Sequence, residues 1–423
     1  MTSLRARRFK RLHEQILLSR WFALIVGWLF SVAMPAGVYW GLDVLQKPNA
    51  GQQAALIATT IAFFLSHFGA KSLLSSYPGG RSQALITVQI LIIYGILVIG
   101  ALLLRIQVSR VLLMSSGVAA LVWFHIEYIT TRAYFRPKFA VITGGFANEV
   151  LALSDCDARQ ISNLDLNGIR YDGIVADFEV IGPEEERFLT RCALANVPVY
   201  NAKTIYESLT GRVKIDKMSE NNIGSLLPSQ TYEFIKAAVD WFIVVISLPI
   251  VIPFGLFTAL IICMESPGPP IYSQVRIGRG NKPFTIFKFR SMRFDKQVVE
   301  QFAGEEDPRI TRVGAVIRKL RIDELPQFIN VLKGEMSLIG PRPEQPSFVA
   351  KFDEKIPFYS YRHVVKPGIT GWAQVRHGYA ADSEETRIKI EHDFYYIKHC
   401  SLALDFLIVF LTIRTMLSGF GAR

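Results

Sequence analysis

Apolar stretches of near-bilayer length recur along the first third of the chain with short polar breaks between them, at Trp21–Trp40, Ala54–Ala70, Leu85–Leu104 and Val111–Thr130. A helix rises ~1.5 Å per residue, so about 20 apolar residues cross the ~30 Å hydrocarbon layer. The pattern predicts four transmembrane helices, the second interrupted by Thr59, Thr60, Ser66 and His67. From Lys138 the rhythm shortens. A β-branched run, Phe139–Thr143, ends in Gly144-Gly145, and Gly173–Ala176 and Val197–Tyr200 follow after polar stretches of helix length. Alternating strand and helix lengths predict a small parallel α/β domain. It lacks G-x-G-x-x-G, so a structural or regulatory Rossmann-like module is expected there rather than dinucleotide chemistry.

A last long apolar run, Trp241–Met264, holds Pro249 and Pro253 in its interior. Each proline removes a ladder hydrogen bond. Two readings stand: a kinked fifth span, or a re-entrant helix-break-helix. The re-entrant form is preferred, because it keeps everything after Ser266 on the side where the chain entered. The expected fold is therefore a membrane protein in four parts: a basic N-terminus with a four-helix transmembrane bundle (1–132), a Rossmann-like α/β domain (133–230), a re-entrant segment (231–265), and a mainly α-helical, membrane-associated catalytic domain (266–423). The segment Phe394–Arg414 mixes apolar and charged residues, and reads either as an amphipathic helix in the headgroup plane or as a packed core helix.

Composition supports lipid contact. The 423 residues are 50% apolar with only 20% charged, and the mean hydropathy is +0.27. Lys and Arg favour cytoplasmic loops. Arg5, Arg7, Arg8, Lys10 and Arg11, then Lys71 and Arg81, then Arg132, Arg136 and Lys138 all fall inside if the four spans hold, while Arg105 and Arg110 dissent in an outer loop. The net charge of +11 suits nucleic acid, an anionic leaflet or a phosphorylated substrate alike. Cys156, Cys192, Cys263 and Cys400 lie far apart and read as incidental thiols, and the seven histidines show no zinc spacing.

Chemistry concentrates between Ser266 and Trp372. There Ser266-Pro-Gly-Pro269, Lys288-Phe-Arg290-Ser-Met292, Arg318, Asp323-Glu324-Leu-Pro326, Gly340-Pro-Arg342-Pro343 and Lys366-Pro-Gly-Ile-Thr-Gly-Trp372 set cations among turns with few carboxylates. Glycine and proline fix loops whose amides can approach oxygens, and arginine presents a planar fork to phosphate. Cations spaced among turns beside a membrane segment do not resemble a nucleic-acid reader. Adjacent carboxylates diverge by ~100° on a helix, which suits divided labour: one can attack phosphorus while the other holds a metal, with Lys288, Arg290, Arg318 and Arg342 neutralising phosphate charge. Asp323 could equally be the N-cap of a short helix stopped by Gly334, and the two readings are compatible.

Taken in order, Ser-Pro-Gly-Pro, Lys-Phe-Arg-Ser-Met, Asp-Glu-Leu-Pro-Gln, Gly-Pro-Arg-Pro and Pro-Gly-Ile-Thr-Gly-Trp-Ala-Gln374 resemble the bacterial polyprenyl-phosphate hexose-1-phosphate transferases, of the undecaprenyl-phosphate glucose or galactose phosphotransferase type. The resemblance implies transfer of a sugar 1-phosphate from a UDP-sugar to undecaprenyl phosphate, with release of UMP, as the first membrane step of exopolysaccharide, capsule or O-antigen synthesis. It implies Asp323 as nucleophile, Glu324 as ligand of Mg2+, Lys288, Arg290, Arg318, Arg342 and Gln374 as substrate contacts, and Pro253 as the membrane break. The implied setting is the bacterial inner membrane with the catalytic domain on the cytoplasmic face, among membrane lipids, with no nucleic acid and with room for a homodimer. Ile252 stands where the family often has Ser, and Val375-Arg376-His-Gly-Tyr379 replaces a common Val-Asn-Gly. A nucleotide-sensing regulator and a lipid-linked carrier are the rival functions. A carrier needs charges within its spans, and these spans are nearly free of them.

Overall fold

The computed structural model describes residues 19–41, 49–76, 83–103, 105, 109–134, 137–215, 228–293, 309–377 and 383–418. The N-terminal basic cluster Arg5 to Arg11, Arg81 and Arg136 lie outside them. The chain is mostly helical with a few parallel sheets, and it divides into two compact units, Met1–Gly211 and Arg212–Arg423. Among the described residues three helices are long and apolar enough to cross a membrane: Trp21–Trp40, Arg110–Thr131 and Gln230–Glu265.

The first unit opens with α1 (Arg20–Trp28), a π-helical turn (Leu29–Ala33) and α2 (Met34–Trp40). Pro35 cannot donate into the ladder, and the widened turn sits just before it. Helices α3 (Ala50–Ser76), α4 (Gln83–Leu103) and α5 (Arg110–Tyr134) follow at the other expected runs, but of these three only α5 is long and apolar enough to cross among the described residues, and in α4 the apolar helix is the shorter Gln89–Leu103. The polar residues that interrupt α3 face other helices. Trp28 donates to Thr60 at 3.0 Å, Gln89 donates to the Ser66 carbonyl at 3.0 Å, and Thr59 is fully buried. Thr59 returns its hydroxyl to the Ala55 carbonyl at 2.9 Å, so these polar groups lower hydropathy without exposing polarity outward. Val32, Phe63, Ile90, Tyr94 and Phe124 form the shared core, whereas Ile61, Leu65, Ile99 and Val118 stay exposed.

The same unit holds β1 (Lys138–Val141), α6 (Ala147–Leu151), β2 (Asp157–Gln160), β3 (Gly173–Ala176), α7 (Pro183–Leu194), β4 (Val199–Asn201) and α8 (Ala202–Thr210). The four strands run parallel in the order β2-β1-β3-β4, with Ala140 opposite Ile174 and Val175 opposite Tyr200. Strand β2, of sequence Asp-Ala-Arg-Gln, has no apolar alternation and escaped the sequence pattern. At the end of β3 the Asp177 carboxylate accepts the Phe146 amide at 2.7 Å. The Gly144-Gly145 turn is thus already closed by an acid, in keeping with the missing dinucleotide fingerprint.

The second unit is organised on α9 (Gln230–Glu265), 36 residues long. The expected helix-break-helix does not appear here, because the backbone stays helical through Pro249 and Pro253. Proline's fixed φ is itself helical, so a proline can sit inside a helix at the cost of one ladder bond. Both halves of α9 pack on the same globular unit. Val244 meets Ile286, Val331 and Met336, while Ile262 meets Phe289 and Ile317. Asp240 accepts the Ser337 hydroxyl at 2.5 Å, and Glu265 accepts the Arg312 amide at 2.8 Å. The opposite face exposes Ile246, Ile250, Phe257 and Leu260.

Upon α9 lie the antiparallel pair β5 (Ile271–Ile277) and β6 (Pro283–Phe289), α10 (Arg312–Lys319), a 3-10 turn (Ile322–Gln327), α11 (Phe328–Leu332) and β7 (Ser337–Ile339). Then come α12 (Pro346–Lys355), a second 3-10 turn (Tyr359–Val364), β8 (Gly368–Thr370), parallel to β7, α13 (Trp372–Arg376), α14 (Ser383–His399) and α15 (Leu402–Ser418). The C-terminal segment is in large part packed core, as one of its two readings expected. Phe394, Tyr395, Tyr396 and Ile397 are buried, as are Leu404, Leu407 and Ile408, and Phe406, Val409 and Ile413 face outward. The charged residues of α14 are absorbed internally, Asp393 by Arg362 at 2.7 Å and Lys389 by Glu344 at 2.9 Å. All four cysteines are free thiols.

Candidate active site

Asp323 and Glu324 sit on the 3-10 turn, which is entered through Arg321 in the left-handed region at φ 54°. A non-glycine residue held there stores strain, a frequent mark of functional positions. Asp323 is not an N-cap: Arg321 precedes the turn and no side chain caps it. Gly334, at φ 76°, does stop the following helix.

The two acids face different neighbours. Glu324 is buried, and its Oε1 accepts from Lys288 Nζ and Arg342 Nη1, each at 3.0 Å. Arg321 Nη1 stands 3.7 Å from Oε2, which is buried and accepts no hydrogen bond among the described residues. Burial pushes this carboxyl upward, but Lys288, Arg342 and Arg321 outweigh it and hold the group far below the usual carboxylate range. Asp323 has no hydrogen-bond or ion-pair partner among the described residues. Burial, and then the negative charge of Glu324, push it up to about 6 against the pull of Lys288, Arg342 and Arg318. Lys288 is itself pushed down by burial, partly offset by Glu324. The result is one fixed anion beside one acid poised near neutrality, a division common where proton affinity has a task.

Five of the sequence-expected residues therefore converge: Asp323, Glu324, Lys288, Arg342 and Arg318. Arg318 ends α10, and its Nη1 is buried without a partner among the described residues. Arg290 does something else. Its Nη1 donates to the Pro267 carbonyl at 2.6 Å and its Nη2 to the Ser266 carbonyl at 2.7 Å. That clamp explains Ser-Pro-Gly-Pro: at Gly268, φ 118°, a Cβ would stand 2.4 Å from Arg290 Nη1. Gln374 is buried on α13 with its Oε1 unpartnered among the described residues, and nothing links it to the acid pair. Pro253 lies on α9, away from these contacts.

The Gly-Pro-Arg-Pro and Pro-Gly-Ile-Thr-Gly motifs are two backbones in contact. A Cβ at Gly368 would stand 2.0 Å from the Gly340 amide nitrogen, and one at Gly371 would stand 2.2 Å from the Gly340 carbonyl oxygen. Only glycine permits this approach, and it fixes the loop that presents Arg342.

Several supporting residues were not legible in the sequence. Arg362 donates to the Arg342 carbonyl at 2.9 Å and to Asp393 at 2.7 Å. Glu344 lies between Lys389 at 2.9 Å and Arg276 at 3.7 Å. Burial opposes its ionisation, but Lys389 and Arg362 hold it down at about 2. These partners are 20 to 70 positions apart, so no local spacing marks them. Arg321, two residues before Asp323, was near enough to suspect. His363 is buried beside Asn281 and kept neutral, pushed down to about 3 by burial and by Arg362, in line with a core rather than a catalytic histidine.

Residues 231–419 match the family described as bacterial sugar transferase. The chain is 50% identical over 420 residues, 99% of both chains, to a UDP-N-acetylgalactosamine-undecaprenyl-phosphate N-acetylgalactosaminephosphotransferase of Aeromonas hydrophila. It is 42% identical over 183 residues, 42% of this chain and 39% of the relative, to a UDP-glucose:undecaprenyl-phosphate glucose-1-phosphate transferase of Escherichia coli K12. It is 40% identical over 191 residues, 44% of this chain and 96% of the relative, to the exopolysaccharide production protein PSS of Rhizobium leguminosarum. Likeness along the whole length to one such enzyme, and across the catalytic unit to others, leaves a single assignment: the chain belongs to the bacterial sugar transferases, and is a transferase of the polyprenyl-phosphate sugar-1-phosphate type.

Proposed function

We propose that the protein moves a sugar 1-phosphate from a UDP-sugar to undecaprenyl phosphate through a covalent intermediate on Asp323. The observation that carries this reading is the acid pair itself: Glu324 pinned as an anion by Lys288 and Arg342, and Asp323 beside it without a hydrogen-bond partner among the described residues. An ionised Asp323 oxygen attacks the phosphorus that bears the sugar. The new oxygen–phosphorus bond forms as the bond to the bridging oxygen breaks, and UMP leaves with that oxygen and its electron pair. A phosphate oxygen of the acceptor then attacks the same phosphorus and displaces Asp323, which regenerates the free carboxylate. Lys288, Arg318 and Arg342 supply fixed positive charge where phosphoryl charge gathers, in a site poor in water. The donor sugar we assign is N-acetylgalactosamine, on the full-length likeness to the Aeromonas enzyme.

Mg2+ fits this site in one way. Among the described residues no group of three His, Cys, Asp or Glu could hold a metal, but Mg2+ is commonly bound by one or two carboxylates together with substrate phosphates. Glu324 Oε2, buried and without a hydrogen bond among the described residues, is the oxygen that would hold it. Bound there, the ion would neutralise diphosphate charge.

The membrane reading rests on α9. From Asp240 to Glu265 a straight helix is ~38 Å long, more than the hydrocarbon layer, yet both ends of this stretch are bonded to one globular unit. A straight crossing would drag that unit into lipid. We therefore infer that α9 enters and leaves on one side, with its apolar face in the acyl layer. The four N-terminal helices span as a bundle, the α/β domain is Rossmann-like, and the catalytic unit faces the cytoplasm at the bacterial inner membrane. Polyprenyl chain and membrane lipids contact the α9 face.

Incubation of the purified protein in nanodiscs with UDP-N-acetylgalactosamine, other UDP-sugars and undecaprenyl phosphate tests the reaction. UMP release with N-acetylgalactosamine, and an acid-quenched adduct of one sugar phosphate on the peptide holding Asp323, are expected. Retained release by Asp323→Asn would falsify the nucleophile. Cysteines placed at Thr231 and Pro267 test the topology, and both should be labelled from the cytoplasmic side.

A further inference from the structure

The unit Arg212–Arg423 holds a cavity, and none of Asp323, Glu324, Lys288, Arg318, Arg342 or Gln374 lines it. Its volume is about 430 Å³, within the ~300–1,000 Å³ of ordinary small-molecule sites. One wall is the first turns of α9, with Lys236, Ala237 and Trp241; the facing wall is Val331, Leu332 and Met336.

The charges around it are unequal. Lys236 is committed to Asp405 at 2.9 Å, Arg279 to Glu233 at 3.0 Å, and Asp240 to the Ser337 hydroxyl at 2.5 Å. Lys366 also lines the cavity and has no hydrogen-bond or ion-pair partner among the described residues. Its ammonium lies 3.7 Å from where a Cβ would stand at Gly334. A mostly apolar cavity with one cation that has no ion-pair partner among the described residues suits a ligand with an anionic head and an apolar body.

Placement narrows the class. The cavity opens along the start of the apolar helix, where Phe234 is 77% and Trp241 55% exposed, and indoles concentrate at the lipid–water boundary. A reacting acceptor phosphate must reach Asp323, and no residue of that site borders the cavity. We propose that the cavity is an accessory site for an anionic glycerophospholipid, its phosphate on Lys366 and the upper part of an acyl chain between α9 and α11. Two elements lead from it to the chemistry. Helix α11 continues the turn bearing Asp323 and Glu324, and β7 runs into the Gly340-Pro-Arg342 loop. A seated lipid steadies both.

Native mass spectrometry of the full chain, released from phosphatidylcholine nanodiscs with and without phosphatidylglycerol, tests this directly. The wild type should retain one phosphatidylglycerol, and Lys366→Gln and Ala237→Trp should each lose it. UMP release by the wild type should rise several-fold with phosphatidylglycerol, and the two variants should keep the rate seen in phosphatidylcholine alone. Thermal unfolding checks that both variants fold; if the bulky tryptophan does not, Lys366→Gln decides. Equal retention by wild type and folded variants overturns the site. So does displacement of phosphatidylglycerol by undecaprenyl phosphate when both are supplied, since that would make the cavity the acceptor's seat. Lipid retained by a protein that never releases UMP leaves the cavity's role standing and sinks the proposed reaction instead.

Discussion

Asp323 and Glu324 are adjacent on one 3-10 turn, yet their carboxyls are driven in opposite directions, the first up to about 6 and the second far below the usual range. Geometry separates them. Glu324 points at Lys288 and Arg342, whereas Asp323 feels burial and its neighbour's charge before it feels those cations. One residue becomes a fixed counter-ion and the other a base of adjustable strength.

Turnover should therefore rise as pH increases through about 6, where Asp323 ionises, and level off above it. Single-turnover UMP release measured across pH 4.5–8 (roughly a decade lost per unit well below the midpoint) checks this. A flat profile would exclude ionisation of Asp323 as the controlling event.

The same shift predicts a stability effect of opposite sign to the activity effect. A carboxyl raised in the folded state costs stability where it is ionised, above about 6, and none where it is protonated. Asp323→Asn should abolish UMP release while raising Tm relative to wild type at pH 8, and the gap should close near pH 4.5. Thermal unfolding in parallel buffers reads both.

Glu324→Gln should do the reverse and destabilise the protein by about 3–5 kcal/mol, because Lys288 and Arg342 would remain buried with their shared anion removed. Denaturant titration of the full chain measures it. Lys288→Met in the same background should recover part of the loss, since it removes one of the stranded charges.

Glu344 supplies a separate acid limit. Its carboxyl falls from the ordinary 4.5 to about 2 in the folded protein, so its contribution is fully present above 4.5 and is lost as pH drops toward 2. Glu344→Gln should cost on the order of 3 kcal/mol at neutral pH and flatten the acid limb of the stability curve, as followed by unfolding at pH 2.5, 4 and 7.

Arg362 holds the Arg342 carbonyl and touches neither acid. Arg362→Lys keeps a charge for Asp393 but loses the planar guanidinium whose Nη2 joins Asp393 to the Arg342 carbonyl while Nη1 donates to the Tyr359 hydroxyl. We expect a fall in kcat with little change in KM for the UDP-sugar, whereas Arg342→Lys should raise KM as well. A single-alanine probe of the same loop, Gly368→Ala, should prevent the β7–β8 approach altogether, since the new Cβ would stand 2.0 Å from the Gly340 nitrogen, and circular dichroism and activity should be lost together.

Much of this architecture is legible in the amino-acid sequence, for physical reasons that differ by element. The apolar lengths locate the helices α1 to α5 and α9, because uninterrupted apolar runs of that length form long helices. The Asp-Glu pair and the cations at positions 288, 318 and 342 stand out because phosphate chemistry needs dense charge among tight turns. Arg290 misleads, since an arginine that clamps carbonyls looks the same in sequence as one that awaits phosphate. Strand β2 and the ion pairs Arg362–Asp393 and Lys389–Glu344 stay hidden because they depend on long-range closure, which leaves no periodic trace. The prolines of α9 suggest a break where the helix runs on, for proline's own φ is helical.

The double duty of α9 bears on how the enzyme can mature in the cell. Val244 and Ile262 complete two separate cores of the catalytic unit, so that unit lacks its inner wall until residues 230–265 have been delivered. Ribosome-bound chains will carry this greasy segment long before Asp393 and Asp405 emerge to close the fold. The catalytic unit therefore cannot close before this helix is made, and trimming the apolar segment to obtain a more soluble enzyme removes part of the hydrophobic interior.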